Sequence, residues 1–285
     1  KAKKATNSQK EDPTVEDFIL RAIARDAGVR GLISVNTNLV NQAARRHEAT
    51  PTEAITLAHG LTGVGLMGAL LKVQHRLAMK FEGNGPIPKM LLESDAYGRI
   101  RGYTSQPRSD LPAPDNAVKA IGSVGLLTVV KDLKLKELAE SVVPIAGNTI
   151  ADELTYYLNQ SEQTPSHVAI DIKLGEDGVI AAAGGILLQA LPPYEPKTIE
   201  KLAERLQEMP PIGALLLANK TPADIMAELF AGLDYEVLEE RPLRLECGCS
   251  WDRSAQALIT LGRSEIESLI DEGEATVTCP FCHSS

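Results

Sequence analysis

The sequence lacks several features that would assign it to a common functional class. Cysteine is absent from the first 246 of its 285 residues, and four cysteines in a chain this long exclude a disulfide-stapled secreted scaffold. The net charge is −9 and no patch of Lys and Arg stands out, so we expect no nucleic-acid partner. The first residues, KAKKATNSQKEDP, lack the apolar segment of a secretory signal. Composition therefore favours a soluble, globular protein.

The sequence also lacks a convincing membrane span. Residues 54–71, AITLAHGLTGVGLMGALL, come nearest, with 18 positions free of Asp, Glu, Lys and Arg. A lipid-spanning helix needs about 20 predominantly apolar residues, and this run contains His59 and two threonines. The preceding Thr50-Pro51 is typical of a helix start. We therefore predict a buried helix, packed closely through its glycines, and no membrane partner.

Catalytic motifs are missing as well. The sequence contains no G-x-S-x-G, Walker A or H-E-x-x-H pattern. His47, His59, His75 and His167 are isolated along the chain, and the Gly-rich turn at 83–85 is too short for a phosphate loop. We predict that the protein is not an enzyme; a hydrolase or transferase in the N-terminal part stays an alternative, which turnover of a small molecule would reveal.

Alternating strand and helix patterns indicate an α+β fold for the first two thirds of the chain. A helix is predicted near 149–161, where Ile150, Leu154 and Leu158 share one face. The turn Gly175–Gly178 joins two strands in a hairpin. The predicted strands are Val29–Val35, Leu77–Glu82, Met90–Glu93, Arg99–Tyr103, His167–Leu174 and the small-residue strand that starts at Val179. Together these elements define an α+β core domain over residues 17–195.

A helical linker is predicted at 196–246, after a proline-rich boundary. Its first helix has like charges at i,i+4, and such pairs cost about 0.2–0.5 kcal/mol each. A helix of about twelve residues is marginal alone, so its apolar face, with Ile199 and Leu202, must dock on a neighbour. A second helix begins with Thr221 as N-cap and Pro222 in the first turn.

All four cysteines lie in the last 39 residues, as Cys247-x-Cys249 and Cys279-x-x-Cys282 separated by 29 residues. Two such pairs can surround one tetrahedral Zn²⁺ at Zn–S distances of about 2.3 Å. Domains below about 40 residues usually need a metal or disulfides to fold. We predict that the four cysteines bind zinc in a small domain at 247–285; two structural disulfides remain the alternative. His283 is not assigned as a ligand, since four thiolates complete a tetrahedron.

The cysteine pairs also suggest redox chemistry. CPFC, residues 279–282, resembles the CPxC pair of glutaredoxin-like folds, but only three residues follow it, so the helix that would activate its first cysteine cannot form. Each pair is nevertheless close enough along the chain to form its own disulfide once the metal leaves. Oxidation would then remove all four ligands and the roughly 10–16 kcal/mol that structural zinc contributes to comparable folds. The hypothesis is a switch that unfolds the small domain and loosens the linker.

At this point the sequence resembles a known family, the redox-regulated holdase chaperones of the thirty-three-kilodalton heat-shock class. The matching segments are EGNGPI (82–87), RGYTSQP (101–107), SEQTPS (161–166), AAGGILLQALP (182–192) and the CxC…CPFC pattern with SWDRSAQAL between the pairs. The resemblance implies an ATP-independent holdase of the stress response whose reduced, zinc-bound form is inactive. Peroxide with heat, or hypochlorite, forms a disulfide within each near pair and releases zinc. The linker then unfolds, exposes a surface for unfolded client proteins, and the active form is a homodimer.

Transferred to this chain, the resemblance makes Cys247, Cys249, Cys279 and Cys282 both zinc ligands and redox switch. It makes 196–246 a metastable linker, after a disordered or extended tail at 1–16. Members of the family usually continue beyond the second pair, so the zinc domain is expected to be incomplete at its C-terminus. Thiols that hold zinc need a reducing compartment, either cytoplasm or, after loss of a transit peptide, chloroplast stroma. The alternative function is a constitutive protein-binding module with a structural zinc.

Overall fold

A computed structural model describes residues 16–105, 117–147, 149–273 and 276–285. The predicted tail therefore lies, except for Glu16, outside the described residues, as do the last two residues of RGYTSQP. The strands are β1 (Phe18–Ala24), β2 (Val29–Val35), β3 (Arg76–Gly83), β4 (Lys89–Asp95), β5 (Arg99–Thr104), β6 (Gly125–Asp132), β7 (Ala139–Pro144), β8 (Ser166–Leu174), β9 (Ile180–Ala190), β10 (Glu236–Pro242) and β11 (Arg244–Leu245). The helices are α1 (Thr37–Arg46), α2 (Pro51–Gly68), α3 (Ala117–Ile121), α4 (Ile150–Gln160), α5 (Pro196–Glu208), α6 (Ile212–Leu217), α7 (Pro222–Leu229), α8 (Trp251–Ile259) and α9 (Arg263–Glu272).

Two sheets enclose the main core, which confirms the α+β class. The first sheet has the order β10-β1-β2-β9-β8 and the second the order β11-β5-β4-β3-β6-β7. All neighbours are antiparallel except β11 and β5, which run parallel. Helix α2 contacts strands of both sheets, and its residues form one buried cluster with side chains from both. The core therefore lies between the sheets, around α2.

The structure confirms a buried helix over residues 54–68 of the run, and the helix ends at Gly68, three residues before the run does. Helix α2 is buried over most of its length, and Thr50 caps its start in a reciprocal arrangement with Glu53. Glycine is needed where strands approach: a Cβ at Gly65 would lie 2.9 Å from Ile100, and one at Gly60 only 2.6 Å from Met90. Among the described residues, no helix combines the length and apolarity that crossing a membrane requires.

The other predicted core elements are also confirmed. Strand β2 has the predicted bounds, β4 pairs with β5, and β8 and β9 form the hairpin. Helix α4 begins at Ile150 with Thr149 as its N-cap. Strands β1, β6 and β7 and helix α1 were not predicted.

Helix α1 has no local cap, and a distant aspartate takes that role. The side chain of Asn36, at its N-cap position, donates instead to Thr62, at 2.8 Å. The Asp17 carboxylate accepts from the backbone N–H groups of Asn38, at 3.2 Å, and of Leu39. Because the capping group lies twenty residues upstream, no local motif marks this helix start.

Burial raises the pKa of Asp17 from 3.8 to about 6, against the opposing effect of its two backbone hydrogen bonds. A carboxyl group with a raised folded-state pKa binds protons more tightly when folded, so it adds stability as the pH falls from about 6 towards 4. We expect Asp17→Asn to remove this gain, on the order of 1 kcal/mol after allowance for solvent screening. Urea unfolding of both proteins at pH 7, 6, 5 and 4 measures it; parallel pH profiles would contradict the assignment.

The linker helices cover the outer face of the first sheet. Ile199 and Leu202 of α5 are buried, and side chains of α5, α6 and α7 form a second apolar cluster with β1, β2 and β9. The docking predicted for the first linker helix is thus confirmed, as is the capping of α7 by Thr221. Helices occupy only the first two thirds of 196–246, because Glu236–Pro242 forms an edge strand on β1. The proposed domain boundaries themselves stay predictions.

Candidate metal centre

The structure brings the four cysteines together. The four cysteine sulfurs all lie within 4.8 Å of one another. The sulfurs of Cys247 and Cys279 are 3.7 Å apart, and those of Cys249 and Cys282 are 3.3 Å apart. A tetrahedral Zn²⁺ with Zn–S bonds of about 2.3 Å separates its sulfurs by roughly 3.8 Å. All four cysteines are free thiols. Four sulfurs at these spacings fit one zinc ion.

Two backbone arrangements position the cysteines. The first pair follows β11, which pairs with β5 and is extended by a hydrogen bond from Glu246 N–H to the carbonyl of Ile100. The second pair lies in a tight turn, closed by hydrogen bonds from Cys279 N–H to Ser284 and from His283 N–H to Cys279. The second sheet therefore fixes one half of the site, and a local turn shapes the other half.

The segment that carries the cysteines has no apolar core of its own. None of its described side chains in 247–285 is buried. Trp251, Ile259 and Ile270 are apolar residues of this segment, and they are 85%, 74% and 69% exposed. Helical periodicity can indicate an apolar face, but it does not supply a partner for that face. The four-sulfur cluster is thus the main element that could hold the two halves together.

The thiols perturb one another. Hydrogen bonds with Cys282, and then with Cys247, raise the pKa of Cys249 to about 12, whereas hydrogen bonding with Ser284 lowers the pKa of Cys282 to about 6. Burial raises the pKa of Cys279. The opposite directions of the shifts at Cys249 and Cys282 have one cause, because adjacent sulfurs do not readily ionise together without a cation. A bound divalent ion would reverse this and deprotonate the set.

Two partly buried side chains of β5, to which sequence analysis gave no role at the site, contact the two short segments that carry the cysteines, 247–249 and 279–282, here called the metal loop. Arg101, on β5, donates to the sulfur of Cys247 at 3.4 Å. Its guanidinium carbon lies 4.1 Å from the ring centre of Phe281, and the ring of Tyr103 meets the same phenyl edge-on at 5.0 Å. Both residues lie in RGYTSQP, a segment that carries the family resemblance, but the motif does not reveal their partners, which lie about 145 to 180 positions further along the chain.

The histidines divide into one pair and several separate residues. His47 is not isolated, because its Nδ1 lies 2.9 Å from Nε2 of His283. His283 is not among the sulfur cluster, consistent with its omission from the predicted ligands. His59 is partly buried on α2, where its Nδ1 lies 2.9 Å from the carbonyl of Ile55 and loss of solvent contact lowers its pKa. These contacts indicate packing roles.

Comparison with known proteins identifies the family to which this chain belongs. A family model described as Hsp33 protein matches residues 17–285. The chain belongs to the Hsp33 family. Among its relatives, the 33 kDa chaperonin of Geobacter sulfurreducens is 43% identical, with 95% of this chain and 91% of that protein aligned. The 33 kDa chaperonin of Geobacillus sp. is 37% identical over 95% of this chain and 94% of its own.

A solved Hsp33 structure shares the fold. The crystal structure of the Hsp33 homologue from Thermotoga maritima superposes with a TM-score of 0.85 at 29% identity, covering 94% of this chain and 93% of its own. The Hsp33 match includes both cysteine pairs and the linker, so the resemblance seen in the sequence is confirmed over almost the whole chain. Membership supports a chaperone function of the Hsp33 type and points away from an enzyme.

Proposed function

We propose that the chain is a redox-regulated, ATP-independent holdase chaperone that is inactive when reduced and zinc-bound. The observation that carries the proposal is the group of four cysteine sulfurs within 4.8 Å, in a segment without a buried side chain among those described. The same chain covers an apolar face of its first sheet with short linker helices. The Hsp33 relatives are named as chaperonins, which supports client proteins as the partners.

The zinc would be held by Cys247, Cys249, Cys279 and Cys282, one ion per chain. When bound, it supplies positive charge that keeps four thiolates together and links the ends of the segment. The chain's own contribution is to hold the first pair against the sheet and the second in its tight turn. Reduced thiols need a reducing compartment, which favours the cytoplasm or a comparable organelle interior.

Oxidation would dismantle this arrangement. A thiolate attacks one peroxide oxygen, the O–O bond breaks and hydroxide leaves, giving a sulfenic acid; the second thiolate of the pair attacks that sulfur and displaces a second hydroxide. The formation of each disulfide thus transfers two electrons from two thiolates to one peroxide molecule. With Cys247–Cys249 and Cys279–Cys282 bridges, no thiolate ligand remains for zinc, and the segment loses the main contribution to its folding.

The linker would then expose a binding surface. Helices α5 to α7 are short, and their stability depends on the second apolar cluster. If they undock, apolar side chains of β1, β2 and β9 become accessible to unfolded client proteins. An exposed sheet face of this kind also favours association of two chains, so we propose a homodimer for the oxidised, active form.

The proposal is tested by counting zinc and free thiols before and after peroxide. We expect one zinc and four thiols in the reduced protein, and neither zinc nor free thiols after oxidation, because each peroxide removes two thiolates. Light scattering of a heat-denatured reporter enzyme, with ATP absent, should show suppression only by the oxidised protein. Equal suppression by both forms would contradict the switch and favour the alternative, a constitutive protein-binding module with structural zinc.

A further inference from the structure

We propose that Arg101 couples the metal loop to the core: it bridges the two cysteine pairs, attaches them to the second sheet, and protects Cys247 from oxidants. This inference rests on the proposed function. It assigns Arg101 as the residue that determines how readily the cysteines of the proposed redox switch are oxidised. Arg101 would be a positioning residue, acting through the sulfur and the loop that it contacts.

The guanidinium is held in a fixed orientation by its own strand partner. Arg101 lies directly opposite Glu93 on β4, whose Oε2 accepts from Nε at 2.8 Å and from Nη2 at 2.6 Å. The remaining Nη1 points to Cys247. The Arg101 side chain is 19% exposed, so solvent screens the contact less than it would a surface pair. Glu93 thus aims one N–H group of Arg101 at the sulfur.

The same guanidinium contacts the second cysteine pair through Phe281. This phenylalanine lies between Cys279 and Cys282, and its ring receives both the cation and the edge of Tyr103. A cation over an aromatic face contributes about 0.5–2 kcal/mol, more as it is desolvated. One side chain of the core therefore contacts both halves of the loop, and it does so only while the four sulfurs keep those halves adjacent.

A hydrogen bond from a cation to a thiolate alters the reactivity of that thiolate. A zinc-bound sulfur would already be a thiolate, so the hydrogen bond does not increase the thiolate fraction; it withdraws charge from the sulfur, and the Cys247 lone pair attacks a peroxide oxygen more slowly. Once the Cys247–Cys249 disulfide has formed and two hydroxides have left, the sulfur is neutral and accepts only weakly. The same step that releases the metal therefore releases the contact between Arg101 and the loop.

Arg101→Ala tests this coupling. We expect peroxide to release zinc about tenfold faster than from the unaltered protein, since a hydrogen bond to a charged group stabilises by about 1.5–3 kcal/mol. Amide hydrogen exchange of the reduced protein should increase at 244–248 and 279–283. The matched control is Arg76→Ala. Arg76 lies on β3 of the same sheet and forms an ion pair with Asp132 of β6. Equal release rates for the two variants would overturn the proposal.

Two further variants separate bridging from simple charge. Arg101→Lys keeps the charge but cannot bond Glu93 and Cys247 in one plane, so we expect it to recover only part of the slow release; full recovery would contradict bridging. Phe281→Leu should increase exchange at 279–283 with zinc still bound, and unchanged exchange would contradict the second contact. If the unaltered protein binds no zinc, the proposed function is contradicted. If the unaltered protein binds zinc and releases it on oxidation, but Arg101→Ala releases zinc at the same rate, only the role of Arg101 is contradicted.

Discussion

Replacing Cys279 and Cys282 together with serine is expected to abolish zinc binding and to remove the response to peroxide. Two of four ligands are lost, and the remaining Cys247 and Cys249 cannot complete a tetrahedron. Structural zinc contributes roughly 10–16 kcal/mol to comparable small folds, an amount similar to the whole stability of a typical domain. Because no described side chain of 247–285 is buried, this segment has nothing of similar size to replace it.

The measurement combines three readouts on the double variant: zinc content, amide exchange over 247–285, and suppression of reporter aggregation with and without peroxide. We expect no zinc, unprotected amides in that segment, and chaperone activity that no longer depends on oxidant. The core melting transition should persist, since the main core lies around α2 between the two sheets and includes none of these cysteines. Ser250→Ala, beside the first pair, is the matched control. A double variant that still required peroxide for activity would disprove the role of the cluster.

Replacing Phe230 with alanine is expected to activate the protein without any oxidant. Phe230 is the C-cap residue that follows α7, is fully buried and packs edge-on against Tyr235 at 5.4 Å. It also lies directly over Gly31 of β2, where a Cβ would approach its ring to 2.9 Å. Deleting a buried phenylalanine costs about 3–5 kcal/mol. The fraction of molecules with undocked linker helices should therefore rise by two orders of magnitude or more.

Aggregation assays under dithiothreitol, with zinc content measured in parallel, test this expectation. The variant should suppress aggregation while it still carries one zinc, because the change lies in the linker and leaves the cysteines unaltered. Leu217→Ala is the control: it removes a similar apolar group from the neighbouring helix α6, but Leu217 is 53% exposed. If Phe230→Ala were silent when reduced, or active only after losing its zinc, the covered sheet face would not be the surface that binds clients.

Much of the core followed from the sequence because its signals are local. Strict alternation marks β8, the tight turn Gly175–Gly178 marks the hairpin, and Thr50-Pro51 marks the start of α2. The cysteine cluster was also predictable, since two close pairs separated by 29 residues can reach one ion without knowledge of the fold. The like charges at i,i+4 in α5 correctly predicted that this helix needs a docking partner, and the first sheet provides it.

The rest depends on contacts between distant parts of the chain. The cap of α1 comes from Asp17, and the anchor of the metal loop comes from Arg101; in both cases the local sequence does not show which distant part of the chain the side chain contacts. Strand β10 is mostly charged or exposed, EVLEERP, so its alternation is too weak to predict pairing with β1. The exposure of Trp251 shows the same limit, since periodicity indicates an apolar face without saying what covers it.

The placement of β9 and β10 has a consequence for recovery after stress. The linker helices leave the first sheet after β9 and return to it at β10, two strands that flank β2 and β1 in the same sheet. Melting of 196–229 would therefore enlarge a closed loop instead of freeing a chain end, and the entropy of such a loop grows only slowly with its length. Both ends of the melted segment stay attached to the sheet whose face the helices covered. After re-reduction and rebinding of the metal, the helices would therefore dock again on that face without diffusing to it through solution.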